Sequence, residues 1–219
     1  MAEQLDIVTP TGRFVRSADR REVHDDGHWH QVFHCLVVRS GMPARVILQR
    51  RHRSKAAFPG LLDLSATGHL EAGEAPEHGV RELNEELGID ASAEDLTPVG
   101  VRLLADDGGE GRNRERVHLY FMTDDRPLEQ YAPEPTEVES LVEVAVDQLL
   151  ALIADVAATV GPRSATDGRR IDAVEWRPGR PSAATTLGAD DLIKATDGYW
   201  TVLLVMAERY AAGHRPLAI

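Results

Sequence analysis

An α/β fold, a mixed sheet packed by a few helices, is predicted by three observations on this 219-residue chain. Short β-branched and apolar stretches bounded by Gly and Pro turns recur through the first 146 residues. A smaller set of segments carries helical periodicity, most clearly residues 76–87. Strands and helices are mixed without the regular alternation of a doubly wound parallel sheet.

Residues 5–8 and 13–15 flank Thr9-Pro10-Thr11-Gly12 and predict a hairpin. Residues 24–30 are polar, and 32–38 form a β-branched strand. Ser40-Gly41-Met42-Pro43 then turns the chain into a partner strand at 46–48. Arg50, Arg51, His52, Arg53 and Lys55 make the densest basic run, which Phe58-Pro59-Gly60 breaks before a strand at 61–66. A Gly-bounded loop at 68–73 leads into the helix at 76–87. Pro76 sits in its first turn and Gly88 lies just past its end.

Strands at 99–104 and 117–122 flank a Gly- and Arg-rich loop, 138–146 alternates as a strand, and 147–158 reads as a helix with Asp147 as its cap. The composition shifts to Gly, Pro, Arg and Ser over 161–181, predicting a linker or long loop. A last helix at 190–212 carries Leu192, Ile193, Trp200, Leu203, Leu204 and Met206. The chain is therefore read as one domain over 1–160, the N-terminal hairpin included. A linker and a C-terminal helical extension over 161–219 pack on that same domain.

Composition narrows the function. Lys and Arg number 24 against 36 Asp and Glu, a net charge of −12, which excludes a general nucleic-acid binder. An anionic substrate would need a bound cation or a local basic patch to reverse that field. The single cysteine, Cys35, excludes an internal disulfide framework and fits a reducing compartment. Apolar runs of about six residues, such as 202–207, fall far short of the ~20 needed to span a bilayer. The N-terminus carries no basic region followed by an apolar core, so no secretory signal is expected. The expectation is a cytoplasmic protein with no membrane partner.

The chemistry lies in residues 68–89, GHLEAGEAPEHGVRELNEELGI. At about 100° per residue, Glu82, Glu85 and Glu86 share one face of the helix and Val80, Leu83 and Leu87 the opposite one. Each like-charge pair at i,i+3 or i,i+4 costs roughly 0.2–0.5 kcal/mol. Spacing leaves two accounts of that stripe open: a solvated helix face, or hard oxygen ligands that a divalent cation would turn from repulsion into chelation.

The segment resembles the Nudix box, the signature of the Nudix hydrolase superfamily, G-x5-E-x7-R-E-U-x-E-E-x-G-U with U aliphatic. Gly68 and Glu74 match its first half, and Arg81, Glu82, Leu83, Glu85, Glu86, Gly88 and Ile89 its second. One departure is that six residues, not seven, separate Glu74 from Arg81. The resemblance implies a Nudix α/β/α sandwich with a mixed β-sheet in which the box forms a loop–helix–loop. It further implies hydrolysis of a diphosphate linkage with Mg²⁺ or Mn²⁺ as cofactor. By position, Glu82, Glu85, Glu86 and the Gly68 carbonyl would hold the metal, and Arg81 would orient the carboxylates, with Glu74 as its candidate partner.

The flanks, EVHDDGHWHQVFH and ILQRRHRSKAAFPGLLDLSATGH, resemble the branch that includes isopentenyl-diphosphate isomerase and its hydrolase relatives. That resemblance covers roughly residues 1 to 150. It implies a second metal cluster at His24, His30 and His69 with Glu115; the alternative is that His24, His28 and His30 are ordinary loop residues. Against isomerase activity, Thr67 stands where the isomerases carry their catalytic cysteine, and Cys35 lies inside a predicted strand. Arg50, Arg51, Arg53 and Lys55 are candidate substrate-binding residues for phosphate, or a basic loop that balances local acid. Among Glu137, Glu139 and Glu143, Glu139 is the chosen catalytic carboxylate, because relatives place a metal-binding or water-activating acid on that strand.

The reading is a metal-dependent Nudix diphosphatase acting on a nucleoside di- or triphosphate or a related small diphosphate. The alternatives are an isomerase-like enzyme or a Nudix module that senses a ligand without turnover. The C-terminal helix is left to cover the core, cap the site or form a homodimer contact.

Overall fold

The central strand explains the layering. His30–Val38 (β3) alternates two apolar sets, and in the computed structural model both are buried. The model describes residues 3–106, 112–158, 168–195 and 197–217, without the side chains of 155–158. Phe33, Cys35 and Val37 pack on one face with Leu83 and Leu87. Val32, Leu36 and Val38 pack on the other with Leu149, Leu152, Leu203 and Leu204. A strand buried on both faces requires a layer on each side, which gives the α/β/α sandwich.

In chain order, the hairpin Gln4–Val8 (β1) and Phe14–Asp19 (β2) is followed by a short helix, Arg20–Asp25 (α1), and then β3. Arg45–Arg51 (β4), Leu62–Asp63 (β5) and Ala66–His69 (β6) come next. A 3-10 turn at Pro76–Val80 runs directly into Arg81–Leu87 (α2). Thr97–Asp106 (β7), Asn113–Thr123 (β8), Val138–Ala145 (β9) and Val146–Ala158 (α3) follow. Ile171–Trp176 (β10), Ala183–Leu187 (β11) and Tyr199–Ala211 (α4) end the order. β3 is the hub: β8 pairs with it in parallel from His30↔Glu115 to Val38↔Thr123, and β6 runs antiparallel on its other edge. β4 joins it at Val37 and Val38 and continues antiparallel to β9, so the sheet is mixed, as expected.

Three readings change. The polar stretch beginning at His24 overlaps α1, which Asp19 caps by accepting from the Arg21 amide. Within the expected linker, β10 pairs antiparallel with β9 and β11 closes a hairpin on it. The Gly, Pro and Arg residues around β10 mask a short alternating strand, Ile171-Asp172-Ala173-Val174-Glu175-Trp176. Residues 159–167 of that expected linker lie outside the described residues, as do 107–111 of the Gly- and Arg-rich loop. The last helix begins at Tyr199, not near residue 190, because Gly198 takes up a left-handed conformation (φ 74°) just before it.

β9 carries an irregularity with consequences for the site. Arg50 pairs with Ser140 but Arg51 with Val138, so Glu139 is an extra residue bulged out of the ladder. The bulge breaks the alternation, and Val138 and Leu141 therefore face the same apolar cluster. Among the described residues, no helix is long and apolar enough to cross a membrane.

Candidate active site

The acidic α-helix is shorter than the sequence predicts, Arg81–Leu87, because Pro76–Val80 is wound as a 3-10 turn. A 3-10 turn rises about 2.0 Å per residue against about 1.5 Å in an α-helix. Winding the five residues Pro76–Val80 as 3-10 therefore adds about 2.5 Å, more than the rise of one further α-helical residue. Glu74 and Arg81 still meet: Arg81 Nε donates to Glu74 Oε1 at 3.0 Å and Nη2 to Oε2 at 3.3 Å. Gly88 ends the helix with φ 66°, and its amide donates to the Asn84 carbonyl at 2.9 Å.

Leu83 and Leu87 are fully buried and anchor α2 on the sheet, each worth roughly 1.5–3 kcal/mol of transfer energy. The opposite side is not simply solvated. Glu82 and Glu86 are 8% and 7% exposed, whereas the Glu85 side chain is 57% exposed. Arg81 ties the cluster together, its Nη1 donating to Glu82 Oε1 at 2.6 Å and to Glu85 Oε2 at 3.0 Å. Its Nη2 also reaches the His69 carbonyl at 2.8 Å, which fixes the helix to β6.

Glu86 is held differently. Its Oε2 accepts from Gln49 Nε2 and from the Thr67 amide, both at 2.9 Å, and both donors are neutral. Burial is the largest cause that lifts Glu86 to about 8; the Glu82 and Asp63 charges add to it, against those two donors. Burial likewise lifts Glu82 to about 7, with Arg81 opposing. Gly68 lies against this pair: a Cβ there would come within 2.0 Å of Glu82 Oε1. Gln49 was missed in the sequence, although a polar residue directly after Ile47-Leu48 in a buried strand was its signal.

The histidines converge. His24 on α1, His30 on β3 and His69 on β6 place ligand-capable atoms all within 4.8 Å of one another. His30 Nδ1 lies 3.0 Å from the His28 carbonyl and must donate to it, which leaves the Nε2 lone pair bare. That Nε2 is buried with no hydrogen-bond partner among the described residues. Burial lowers the pKa of all three rings, keeping them in the neutral, metal-ligating form. Glu115 stands opposite His30 across the β3–β8 pair, and Asn113 Nδ2 donates to it at 2.7 Å.

The four cationic residues of the basic run, Arg50, Arg51, Arg53 and Lys55, each have an acidic partner. Arg50 meets Glu175 at 3.1 Å and Asp191 at 3.4 Å, and Arg51 meets Asp63 at 3.3 Å. Lys55 meets Glu137, and Arg53 meets Glu139 at 3.1 Å. Glu139 also accepts from Arg177 at 2.5 Å; these two guanidiniums outweigh its partial burial and hold it ionised, below the usual carboxylate range. Glu143 is locked between Arg39 and Arg45 at 2.8 and 2.6 Å. Cys35 is fully buried, and burial pushes its thiol pKa up, so it is no reactive substitute for the cysteine absent at Thr67.

Fold and site define a class, an α/β/α enzyme that presents an arginine-anchored carboxylate cluster on a loop–helix–loop. The NUDIX domain family matches residues 28–163, and the chain belongs to the Nudix hydrolase family, which makes it an enzyme of the pyrophosphohydrolase class. It is 34% identical over 206 residues to an uncharacterized Nudix hydrolase of Clostridium acetobutylicum, covering 92% of this chain and 95% of that one. An isopentenyl-diphosphate Δ-isomerase of Nocardia farcinica is 34% identical over 162 residues, covering 72% and 88%. In fold, the chain is similar to a crystal structure from Deinococcus radiodurans, with a TM-score of 0.54 and 22% identity over 70% of this chain and 90% of that one.

The raised carboxylates set a pH dependence. The folded chain holds the Glu82 and Glu86 protons more tightly than the unfolded chain, whose groups titrate near 4.5. Stability is therefore lost as pH rises towards about 8. The buried histidines, with lowered pKa, act oppositely but only below about 6.5. Thermal unfolding in chelator should thus show a melting temperature that falls between pH 7 and 8.5. A flat or rising trend would contradict the buried-carboxylate account.

Proposed function

We propose that the chain is a metal-dependent diphosphatase, in which water attacks phosphorus in a nucleoside di- or triphosphate or a related small diphosphate. The observation that carries this reading is a pair of buried glutamates on one short helix, Glu82 bonded to Arg81 and Glu86 to the neutral donors Gln49 Nε2 and the Thr67 amide. That set of hard oxygen donors fits Mg²⁺ or Mn²⁺, with Glu85 and the Gly68 carbonyl as further candidate ligands. A divalent cation there supplies charge neutralisation of the diphosphate, stabilisation of the leaving oxygen and a lowered pKa for the attacking water.

The chain's own residues do the positioning. Arg81 orients Glu82 and Glu85, while Gln49 and the Thr67 amide fix the Glu86 carboxylate. Glu139, kept ionised by its two arginines, is the proposed acceptor of the water proton. Arg50, Arg51, Arg53 and Lys55 are the proposed phosphate contacts, reached by exchange with their present acidic partners. His24, His30, His69 and Glu115 are the proposed second metal cluster, and the bare, buried His30 Nε2 supports it. Imidazole donors favour a transition ion there rather than Mg²⁺.

Isomerase chemistry is the weaker reading. Thr67 offers no thiol, and Cys35 is buried with its proton firmly held. That lone reduced thiol also supports a cytoplasmic location.

A phosphate-release screen tests the proposal. Nucleoside di- and triphosphates, nucleotide sugars, dinucleotide cofactors and isoprenoid diphosphates would each be offered with Mg²⁺, with Mn²⁺ and with chelator. An auxiliary phosphatase specific for monophosphate products provides the readout. Turnover that chelator abolishes is expected for at least one class. Ligand binding without turnover across the panel would replace the enzyme with the sensing module.

A further inference from the structure

We propose that Asp63 is a further carboxylate of the metal site, supplied by the sheet where Glu82 and Glu86 are supplied by the helix. The inference rests on the diphosphatase reading for its reaction, but not for its placement or its test.

The strands put Asp63 beside the acidic helix. Leu62 and Leu64 pack with Leu149 and Leu203 on one side of the sheet. Asp63, between them, points to the other side, where Ile47 packs with Leu83 and Leu87. On β4, Gln49 follows Ile47 in the same alternation and stands directly opposite Asp63 in the β4–β5 pair. Side chains so placed have Cβ atoms roughly 4.5–5.5 Å apart. Gln49 Nε2 donates to Glu86 Oε2 at 2.9 Å, so Asp63 is the neighbour of the residue that holds Glu86. The same Glu86 oxygen accepts from the Thr67 amide, four residues beyond Asp63. Glu86 is thus held over the short stretch that joins β5 to β6. The Asp63 charge is felt there, adding to the burial that lifts Glu86.

The ion pair with Arg51 does not account for Asp63. Arg51 Nη1 meets its Oδ2 at 3.3 Å, and the Leu64 amide donates to its Oδ1 at 2.9 Å. Burial pushes the Asp63 carboxyl above its usual range, and neither donor brings it back. At Glu139, by contrast, burial is outweighed by two arginines and the carboxyl stays below that range. A buried carboxylate left short of positive charge, on the face that carries two more, suits the oxygen ligation of a divalent cation. The neighbouring pair on β4 is a matched comparison. Arg50 and Glu175 have side chains 13% and 15% exposed, against 15% and 13% for Arg51 and Asp63, but Arg50 alternates with Gln49 to the opposite face. A cation drawn to Asp63 would also release Arg51 for the substrate phosphate it is proposed to meet.

The test is calorimetric titration of the full chain with Mg²⁺, whose preference for oxygen ligands keeps it from the histidine cluster. No diphosphate is present, so turnover plays no part. Asp63→Asn is expected to weaken Mg²⁺ binding by about tenfold or more. Arg51→Gln should tighten it several-fold, because the cation competing for Asp63 is gone. A purely structural ion pair predicts otherwise: both variants would melt earlier in chelator, and neither would change the affinity for Mg²⁺. Glu175→Gln, which breaks the matched pair on the opposite face, should bind Mg²⁺ as wild type. Unchanged affinity in Asp63→Asn, no tightening in Arg51→Gln, or no Mg²⁺ binding by the wild type overturns the assignment. If Asp63→Asn melts too early to titrate, the double variant with Arg51→Gln, which leaves no unpaired charge, decides by the same loss of affinity. A chain whose Mg²⁺ affinity follows Asp63 yet which hydrolyses nothing would refute the diphosphatase and leave Asp63 in the metal site. Chelator-sensitive turnover with a Mg²⁺ affinity indifferent to Asp63 would do the reverse.

Discussion

Replacing Glu86 with Gln is expected to cut metal-dependent turnover by at least about 100-fold while the protein stays folded. A divalent cation at such a site lowers a barrier by several kcal/mol, and each 1.36 kcal/mol is about a factor of ten in rate. The substitution removes one ligand charge and almost no volume. Gln49 Nε2 and the Thr67 amide, which now donate to Glu86 Oε2, find an acceptor of the same shape in the amide oxygen. Stability should move the other way. Glu86 is 7% exposed and its charged form is strongly disfavoured, so a neutral amide relieves a burial cost at alkaline pH. Thermal unfolding in chelator at pH 8.5 should therefore show the variant at least as stable as wild type. The rise in melting temperature on adding Mg²⁺ should shrink. Full turnover in the variant would end the carboxylate-helix mechanism.

What the sequence made legible was mostly local. The acidic and apolar faces of residues 76–87 follow from helical spacing, and the Gly88 stop from its need for a left-handed conformation. The convergence of His24, His30 and His69 was expected only through the resemblance, because α1, β3 and β6 meet through long-range pairing that no local pattern encodes. Long-range charge partners were invisible for the same reason. Arg50 read either as a phosphate contact or as part of a basic loop balancing local acid, but its partners Glu175 and Asp191 lie more than a hundred residues further along the chain. Glu139 was singled out on its strand, while the arginines that bracket it arrive from β4's far end and from an expected linker. The bulge that frees it is likewise a property of the pairing, since Glu139 and Ser140 read as ordinary alternation until β4 is laid beside them.

Gly68→Ala is expected to lower turnover by about 100-fold, because the site requires the strand to approach the helix without a side chain between them. Backbone strain is not the reason. The difficulty is space: the added Cβ would lie 2.0 Å from Glu82 Oε1 and 2.1 Å from Glu82 Cδ. Glu82 cannot simply swing aside, since it is buried and bound to Arg81 Nη1 at 2.6 Å. Either that bond breaks or β6 moves off α2, which also disturbs the Thr67 amide on Glu86 and the His69 carbonyl on Arg81. A displacement of about 1 Å in a catalytic constellation is enough to cost about 100-fold. Overpacking should also remove about 1–3 kcal/mol of stability, roughly 2–4 °C in Tm per kcal/mol for a chain of this size. Gly73→Ala separates the two effects. Gly73 has φ 83° and nothing within 4 Å of its missing Cβ, so alanine there strains the same loop without touching Glu82. It should cost stability and spare turnover, whereas Gly68→Ala should lose turnover out of proportion to its stability. Comparable kcat in the two variants would show that Gly68 matters only to the loop's conformation, and not to the placement of the carboxylates.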